Sequence, residues 1–140
     1  MEQQRPAIDL PPGSVVVQNA TGRLCEISRG AGSSIVRVEW ARGTECGLEE
    51  ARQVTEGIAT VAGHTPVPVL VDVRSMKSTS RQAREHFGAT PTVTAIAFLV
   101  GSPLSRVIAS FFMSLNRPAV PTRLFTDPAE AMAWLGPVRH

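Results

Sequence analysis

The sequence predicts an α/β domain with a mixed sheet, an N-terminal antiparallel meander followed by parallel strands, in the element order βββαβαβαβα. Three observations carry this. Residues 14–40 alternate apolar and polar side chains, the period of half-buried strands. From residue 44 onward the pattern switches to amphipathic helical stretches that alternate with short apolar runs, the signature of parallel strands joined by right-handed crossovers. The chain has 140 residues, 43% hydrophobic and 19% charged, enough for one self-sufficient core and wrong for a disordered chain.

Each element follows from its residues. Residues 1–13 (MEQQRPAIDLPPG) are polar and proline-rich and read as a flexible lead, 14–136 as the single domain and 137–140 as a tail. Ser14–Asn19 is a short strand ended by the turn Ala20-Thr21-Gly22. Strands over 23–28 and 34–40 are joined through Arg29-Gly30-Ala31-Gly32-Ser33, a glycine-containing hairpin connection. Cys25 and Ile27 share a face of the first; Val36, Val38 and Trp40 share a face of the second, with Arg37 and Glu39 opposite. A helix follows, with Leu48, Ala51, Thr55, Ile58, Ala59 and Ala62 toward the core, closed by Gly63. The run 67–73 (VPVLVDV) is apolar until Asp72, as in a strand covered on both faces. A helix over 78–87 takes Ser78 or Ser80 as its cap, and 92–100 (TVTAIAFLV) is a second buried strand. Ser102-Pro103 opens the next helix, serine capping and proline at the first position. Its predicted core stripe is Leu104, Val107, Ile108, Phe111, Phe112 and Leu115. The last strand covers 120–125. Asp127-Pro128-Ala129-Glu130 is an acidic capping box for a short helix ending at Leu135-Gly136-Pro137.

Charge excludes several classes. Fourteen basic residues against twelve acidic ones leave +2, and the thirteen arginines are dispersed rather than gathered with aromatics, so nucleic acid is not the expected partner. The distribution is uneven: residues 1–70 hold eight acids and six bases (−2), residues 71–140 four acids and eight bases (+4), and the second half favours an anionic ligand or partner. The polar start MEQQRPAIDLPPG has no apolar stretch of the kind a signal peptide needs, so none is expected. The uncharged run 86–105 is interrupted by Pro91, Gly101 and Pro103, so no transmembrane segment is expected. Cys25 and Cys46 lack metal-ligand spacing, so no metal and no cofactor are expected. Two readings stand for the thiols, a disulfide between them or free thiols of a reducing cytoplasm, and the second is the expectation.

In open α/β sheets, ligands meet the carboxyl ends of the strands. Here that edge gathers Asp72, Arg74 and Lys77 after one strand, Gly101, Ser102, Ser105 and Arg106 after the next, and Thr126 and Asp127 after the last. Free backbone N–H groups at Ser102–Ser105 favour an anion there, and Arg74, Lys77 and Arg106 supply charge-assisted donors. Ser102, Ser78, Ser80 and Asp127 each also serve as helix caps. Catalytic constellations are missing. Asp72 is a lone carboxylate without a spaced partner, no G-x-S-x-G elbow surrounds Ser75, Ser102 or Ser105, Gly30-Ala31-Gly32 lacks the ending of a phosphate loop, and His64, His86 and His140 are scattered. Cys46, close to a helix start, has either a lowered pKa or a mere spacer role.

The segments Val69-Leu-Val-Asp-Val-Arg-Ser-Met-Lys-Ser-Thr-Ser (69–80) and Arg123-Leu-Phe-Thr-Asp-Pro-Ala-Glu-Ala-Met-Ala-Trp-Leu (123–135) resemble the STAS, or SpoIIAA-like, family of anti-sigma-factor antagonists. Its architecture is shared with the larger lipid-binding CRAL-TRIO domains, and the resemblance extends to uncharacterised bacterial members. It implies a SpoIIAA-like mixed sheet. In the regulatory family, a strand ends in Asp and a serine opening the next helix is phosphorylated by a partner kinase. By that resemblance Asp72 matches the strand end, and Ser78, Thr79 and Ser80 lie at the matching helix start, with the basic loop Arg74-Ser75-Met76-Lys77 in place of the family's Asp-Ser-Ser-Gly pattern. The function expected is a non-enzymatic, cytoplasmic regulatory or protein-interaction module that binds a protein partner, itself as a homodimer. The alternatives are a carrier of a small anionic or amphipathic ligand, by resemblance to CRAL-TRIO domains, and an enzyme using Asp72.

Overall fold

Alternation over residues 14–40 and apolar continuity later fold into one six-stranded sheet, seen in a computed structural model that describes residues 14–19, 22–29, 33–88, 93–115 and 120–136, and side chains for these except 19, 23, 88 and 111–115. The expected lead 1–13, hairpin tip 30–32 and tail 137–140 lie outside the described residues. Strands β1 (Ser14–Asn19), β2 (Gly22–Arg29) and β3 (Val36–Trp40) form the antiparallel meander. A two-residue strand β4 (Glu45–Cys46) leads into helix α1 (Leu48–Ala62). Then come β5 (Val67–Asp72), a second two-residue strand β6 (Ser78–Thr79), helix α2 (Arg81–Gly88), β7 (Val93–Leu99), helix α3 (Pro103–Leu115), β8 (Thr122–Phe125) and helix α4 (Pro128–Leu135). The sheet order is β1-β2-β3-β5-β7-β8, with every pairing from β3 onward parallel. The expected mixed sheet and order are present, with the β4–β6 pair added.

That pair fastens two loops. Lys77 and Ser78 donate backbone N–H bonds to the Thr44 carbonyl, Ser80 to Cys46, and Gly43 to Ser75, all at 2.8–3.2 Å. Because Ser78 and Thr79 are extended, helix α2 begins at Arg81. Its cap is Ser80, whose Oγ accepts from the Ala83 N–H at 3.0 Å. The predicted start at Ser78 therefore gives way to the later of the two candidate caps.

The sheet separates two cores. On one face, Ile27, Val36, Val38, Val69 and Phe98 pack with Ala51, Val54 and Ile58 of α1, Ala83 of α2, and Ile108 and Ala109 of α3. On the other, Ile35, Leu70, Ala95, Ala97 and Leu99 pack against Ala131 and Leu135 of α4. No helix in the described residues is long and apolar enough to cross a membrane.

Two helices are rotated from their predicted faces. In α1 the buried residues are Ala51, Val54, Gly57, Ile58, Val61 and Ala62. Gly57 lies so close to β2 that a Cβ there would fall 2.6 Å from Ile27 Cδ1, and this contact brings Val54 and Val61 down with it. Thr55 moves aside to α2, where its Oγ1 lies 3.0 Å from His86 Nε2. In α3, Ser105, Ile108 and Ala109 are buried while Leu104 and Val107 face solvent. Small Ser105 and Ala109, one turn apart, allow the closer approach. The remaining predicted stripe residues, Phe111, Phe112 and Leu115, have side chains outside the described set.

Candidate functional site

The carboxyl ends of three parallel strands meet at one edge, where Asp72, Leu99 and Phe125 stand in register. Two further bonds extend the ladder, from the Val73 N–H to the Leu99 carbonyl at 3.1 Å and from the Val100 N–H to the Phe125 carbonyl at 2.9 Å. Beyond them opens a cleft of about 600 Å³ lined by Arg74, Val100, Gly101, Ser102, Pro103, Arg106 and Thr126. Of the residues predicted from sequence, the fold thus brings Arg74, Ser102 and Arg106 to one cleft, with Asp72 and Ser105 buried at its back.

Asp72 and Arg74 form a fork. Arg74 Nη2 donates to Asp72 Oδ2 at 2.8 Å, Nε to Oδ1 at 3.0 Å, and the Arg74 backbone N–H also to Oδ1 at 3.0 Å. The carboxylate is buried at 8% side-chain exposure, whereas the guanidinium is 42% exposed. The hydrogen bond to Asp72 holds the Arg74 pKa above its ordinary value, with the charges of Asp72 and Glu39 adding and partial desolvation opposing. Gly101 supports the arginine from below: a Cβ at that position would lie 3.2 Å from Arg74 Cδ, so its absence lets the aliphatic stem rest on the turn. With both oxygens engaged, Asp72 holds the Arg74 guanidinium in place.

The helix start differs from expectation. Ser105 Oγ accepts the N–H bonds of Gly101 and Ser102, both at 2.9 Å, and Ser102 Oγ accepts the Ser105 N–H at 3.1 Å. Pro103 has no N–H, and that of Arg106 goes to the Ser102 carbonyl at 3.0 Å. The expected row of free N–H groups at Ser102–Ser105 is largely consumed by two serine side chains, so the charge of this edge resides in its arginines.

Other predicted residues stand apart. Lys77 is in a salt bridge with Glu45 at 3.2 Å across the β4–β6 pair. Ser78 is exposed on β6 and Ser80 caps α2. Cys25 and Cys46 are free and buried. Burial pushes both thiols up to about 12, with Glu26 adding for Cys25, and Glu50 and Cys25 for Cys46. The lowered pKa considered for Cys46 is therefore overturned: the residue points into the core, where desolvation outweighs the helix start. Among the described residues, no group of three or more His, Cys, Asp or Glu side chains could hold a metal ion.

Sequence reasoning missed an exposed apolar pair on α3, next in the chain to the cleft residues Pro103 and Arg106. Leu104 is 51% and Val107 46% exposed, the large apolar side chains of the described residues that remain in solvent. Their spacing suits a core stripe equally well. The signal against that reading was the small pair Ser105 and Ala109, one turn apart on the adjacent face.

Comparison with known structures places this geometry on a familiar scaffold. An uncharacterised protein of the DUF3478 family with a SpoIIAA-like fold, from Shewanella loihica PV-4, aligns with a TM-score of 0.55 at 16% identity, covering 79% of this chain and 91% of that one. The chain accordingly has a SpoIIAA-like fold. A protein with unknown function from Arthrobacter sp. FB24 is 34% identical over 78% of this chain and 96% of that one, with a TM-score of 0.32. No curated protein matches the sequence. Residues 30–139 match the family described as a domain of unknown function, DUF7793.

Proposed function

The chain belongs to the DUF7793 family, and from the geometry of its sheet edge we propose that it is a non-enzymatic module that binds a protein partner through the start of α3. The observation that carries this reading is the exposure of Leu104 and Val107, neighbours one helical turn apart on α3, each next in the chain to a residue that lines the cleft, Pro103 and Arg106. Adjacent apolar side chains left in water and rimmed by polar groups have the anatomy of a docking surface. The state of the polar groups supports a role without chemistry. Asp72 is forked by Arg74, the hydroxyls of Ser102 and Ser105 bond each other at 3.1 Å, and both thiols are buried. Reduced, buried thiols also suit a cytoplasmic setting.

The test is a pull-down from native extract with the full chain as bait, comparing wild type with Leu104→Ser/Val107→Ser. Proteins retained by the wild type and lost by the double variant are expected; identical retention, or no specific protein, would remove the reading. Sedimentation of the purified chain distinguishes a second copy as the partner. A phosphoswitch of the kind the SpoIIAA-like resemblance implies has its accessible hydroxyl at Ser78, since Thr79 Oγ1 is buried and Ser80 Oγ caps α2. Ser78→Asp in the same pull-down tests that version, which predicts altered retention.

A second reading rests on the cleft itself. About 600 Å³ lined by Arg74 and Arg106 together with Val100 and Pro103 suits a small amphipathic anion. Native mass spectrometry of protein purified without denaturation would show such a molecule as added mass.

A further inference from the structure

Building on the partner-docking reading, we infer that the cleft and the start of α3 receive an acidic segment of that partner, a carboxylate entering between Arg74 and Arg106 and an adjacent aliphatic side chain resting on Leu104 and Val107. Among the described residues, the lining contains two guanidinium groups and no carboxylate. Asp72 neutralises one of the two from behind and holds it in place. Arg106 is exposed, and no hydrogen bond or ion pair of its side chain is present among the described residues, so of the two arginines in the lining it is the one without a carboxylate fork. Arg74 reaches the cleft already ordered: its fork with Asp72 and its stem on Gly101 fix the guanidinium, so little rotamer entropy is lost when a second carboxylate arrives.

The chemistry favours a carboxylate on a peptide over a phosphate. A phosphate site at a helix start draws on free backbone N–H groups, and here those of Gly101, Ser102 and Ser105 are taken by serine hydroxyls. Among the described residues, no aromatic side chain lines the cleft to stack a base. The neighbouring surface is aliphatic, which matches a hydrophobic anchor flanked by acid.

The experiment selects a phage-displayed random peptide library on the full-length wild-type chain and measures the enriched peptides by fluorescence anisotropy. Peptides carrying Asp or Glu next to Leu, Ile, Val or Phe are expected, with affinity that falls as salt rises. Arg106→Glu, a surface change that leaves the fold intact, should weaken them at least about tenfold. Enrichment of basic or neutral peptides, or unchanged affinity in Arg106→Glu, overturns the inference. If Leu104→Ser/Val107→Ser abolishes binding while Arg106→Glu does not, the docking surface stands and its acidic specificity falls. If no peptide is enriched, or both variants bind like the wild type, the docking reading fails with it. Displacement of enriched peptides by millimolar inorganic phosphate alone would assign the cleft to free anions instead.

Discussion

Gly57 shows how one missing side chain sets the position of an element. In sequence it is an inconspicuous glycine within a helix, where glycine costs about 1 kcal/mol relative to alanine. In the fold it lets α1 rest on Ile27, with a virtual Cβ at 2.6 Å. Gly57→Val should lower stability by about 2–3 kcal/mol through overpacking, and adding Ile27→Val should recover part of it; urea denaturation of the single and double variants measures both. The arginines of the cleft separate in the same assay. Arg74→Ala leaves the buried Asp72 carboxylate without its fork and, allowing for the exposure of the guanidinium, should cost about 1 kcal/mol. Arg106→Ala should stay within about 0.5 kcal/mol. Sequence placed Asp72 at the carboxyl end of its strand, where the fold has it, because strand ends are legible from where apolar runs stop. Its fork with Arg74 depends on a turn and on Gly101, neither of which leaves a periodic trace.

Among elements, legibility follows how much of the pattern is side-chain burial. The strands at 67–72 and 93–99 read clearly because both faces are covered, and α4 read clearly because Asp127 caps it through the Ala129 N–H at 3.0 Å. The β4–β6 pair was invisible, being held by backbone bonds between segments some thirty residues apart, with no alternation to betray them. It also hid the true start of α2. Ser80→Ala should destabilise by about 1 kcal/mol through loss of the cap, while Ser78→Ala should be nearly neutral, as thermal melts of the two variants would report. For α3 the apolar stripe misled, since two small residues outcompeted two large ones for the sheet. Ile108→Ala should cost about 2–4 kcal/mol, whereas Leu104→Ser and Val107→Ser should each change stability by less than about 0.5 kcal/mol. Equal costs would mean that α3 presents a different face to the sheet.

On the scale of the whole molecule, composition and core together produce a pH dependence. The protein has no tyrosine and a single lysine, so few groups titrate between pH 9 and 12 apart from Cys25 and Cys46, both pushed up to about 12 by burial. Below about pH 9 folded and unfolded chains both keep the thiol protons, and the full stability is present. Above it the unfolded chain releases them and the folded one does not. Stability should therefore fall toward pH 12 by up to about 1.4 kcal/mol per pH unit for each thiol. Denaturant midpoints across that range should slope downward in the wild type, and Cys25→Ala/Cys46→Ala should flatten the slope even though its midpoint starts lower. The charge asymmetry read from sequence becomes spatial here as well, since the +4 half supplies both arginines of the cleft. Lys77 adds a practical consequence. It is the protein's one side-chain amine, it forms a salt bridge with Glu45 of β4 from the residue before β6, and it lies three positions along the chain from Arg74. An amine-selective dye, applied after the α-amino group is blocked, would mark this one site and turn the edge of the sheet into its own optical probe.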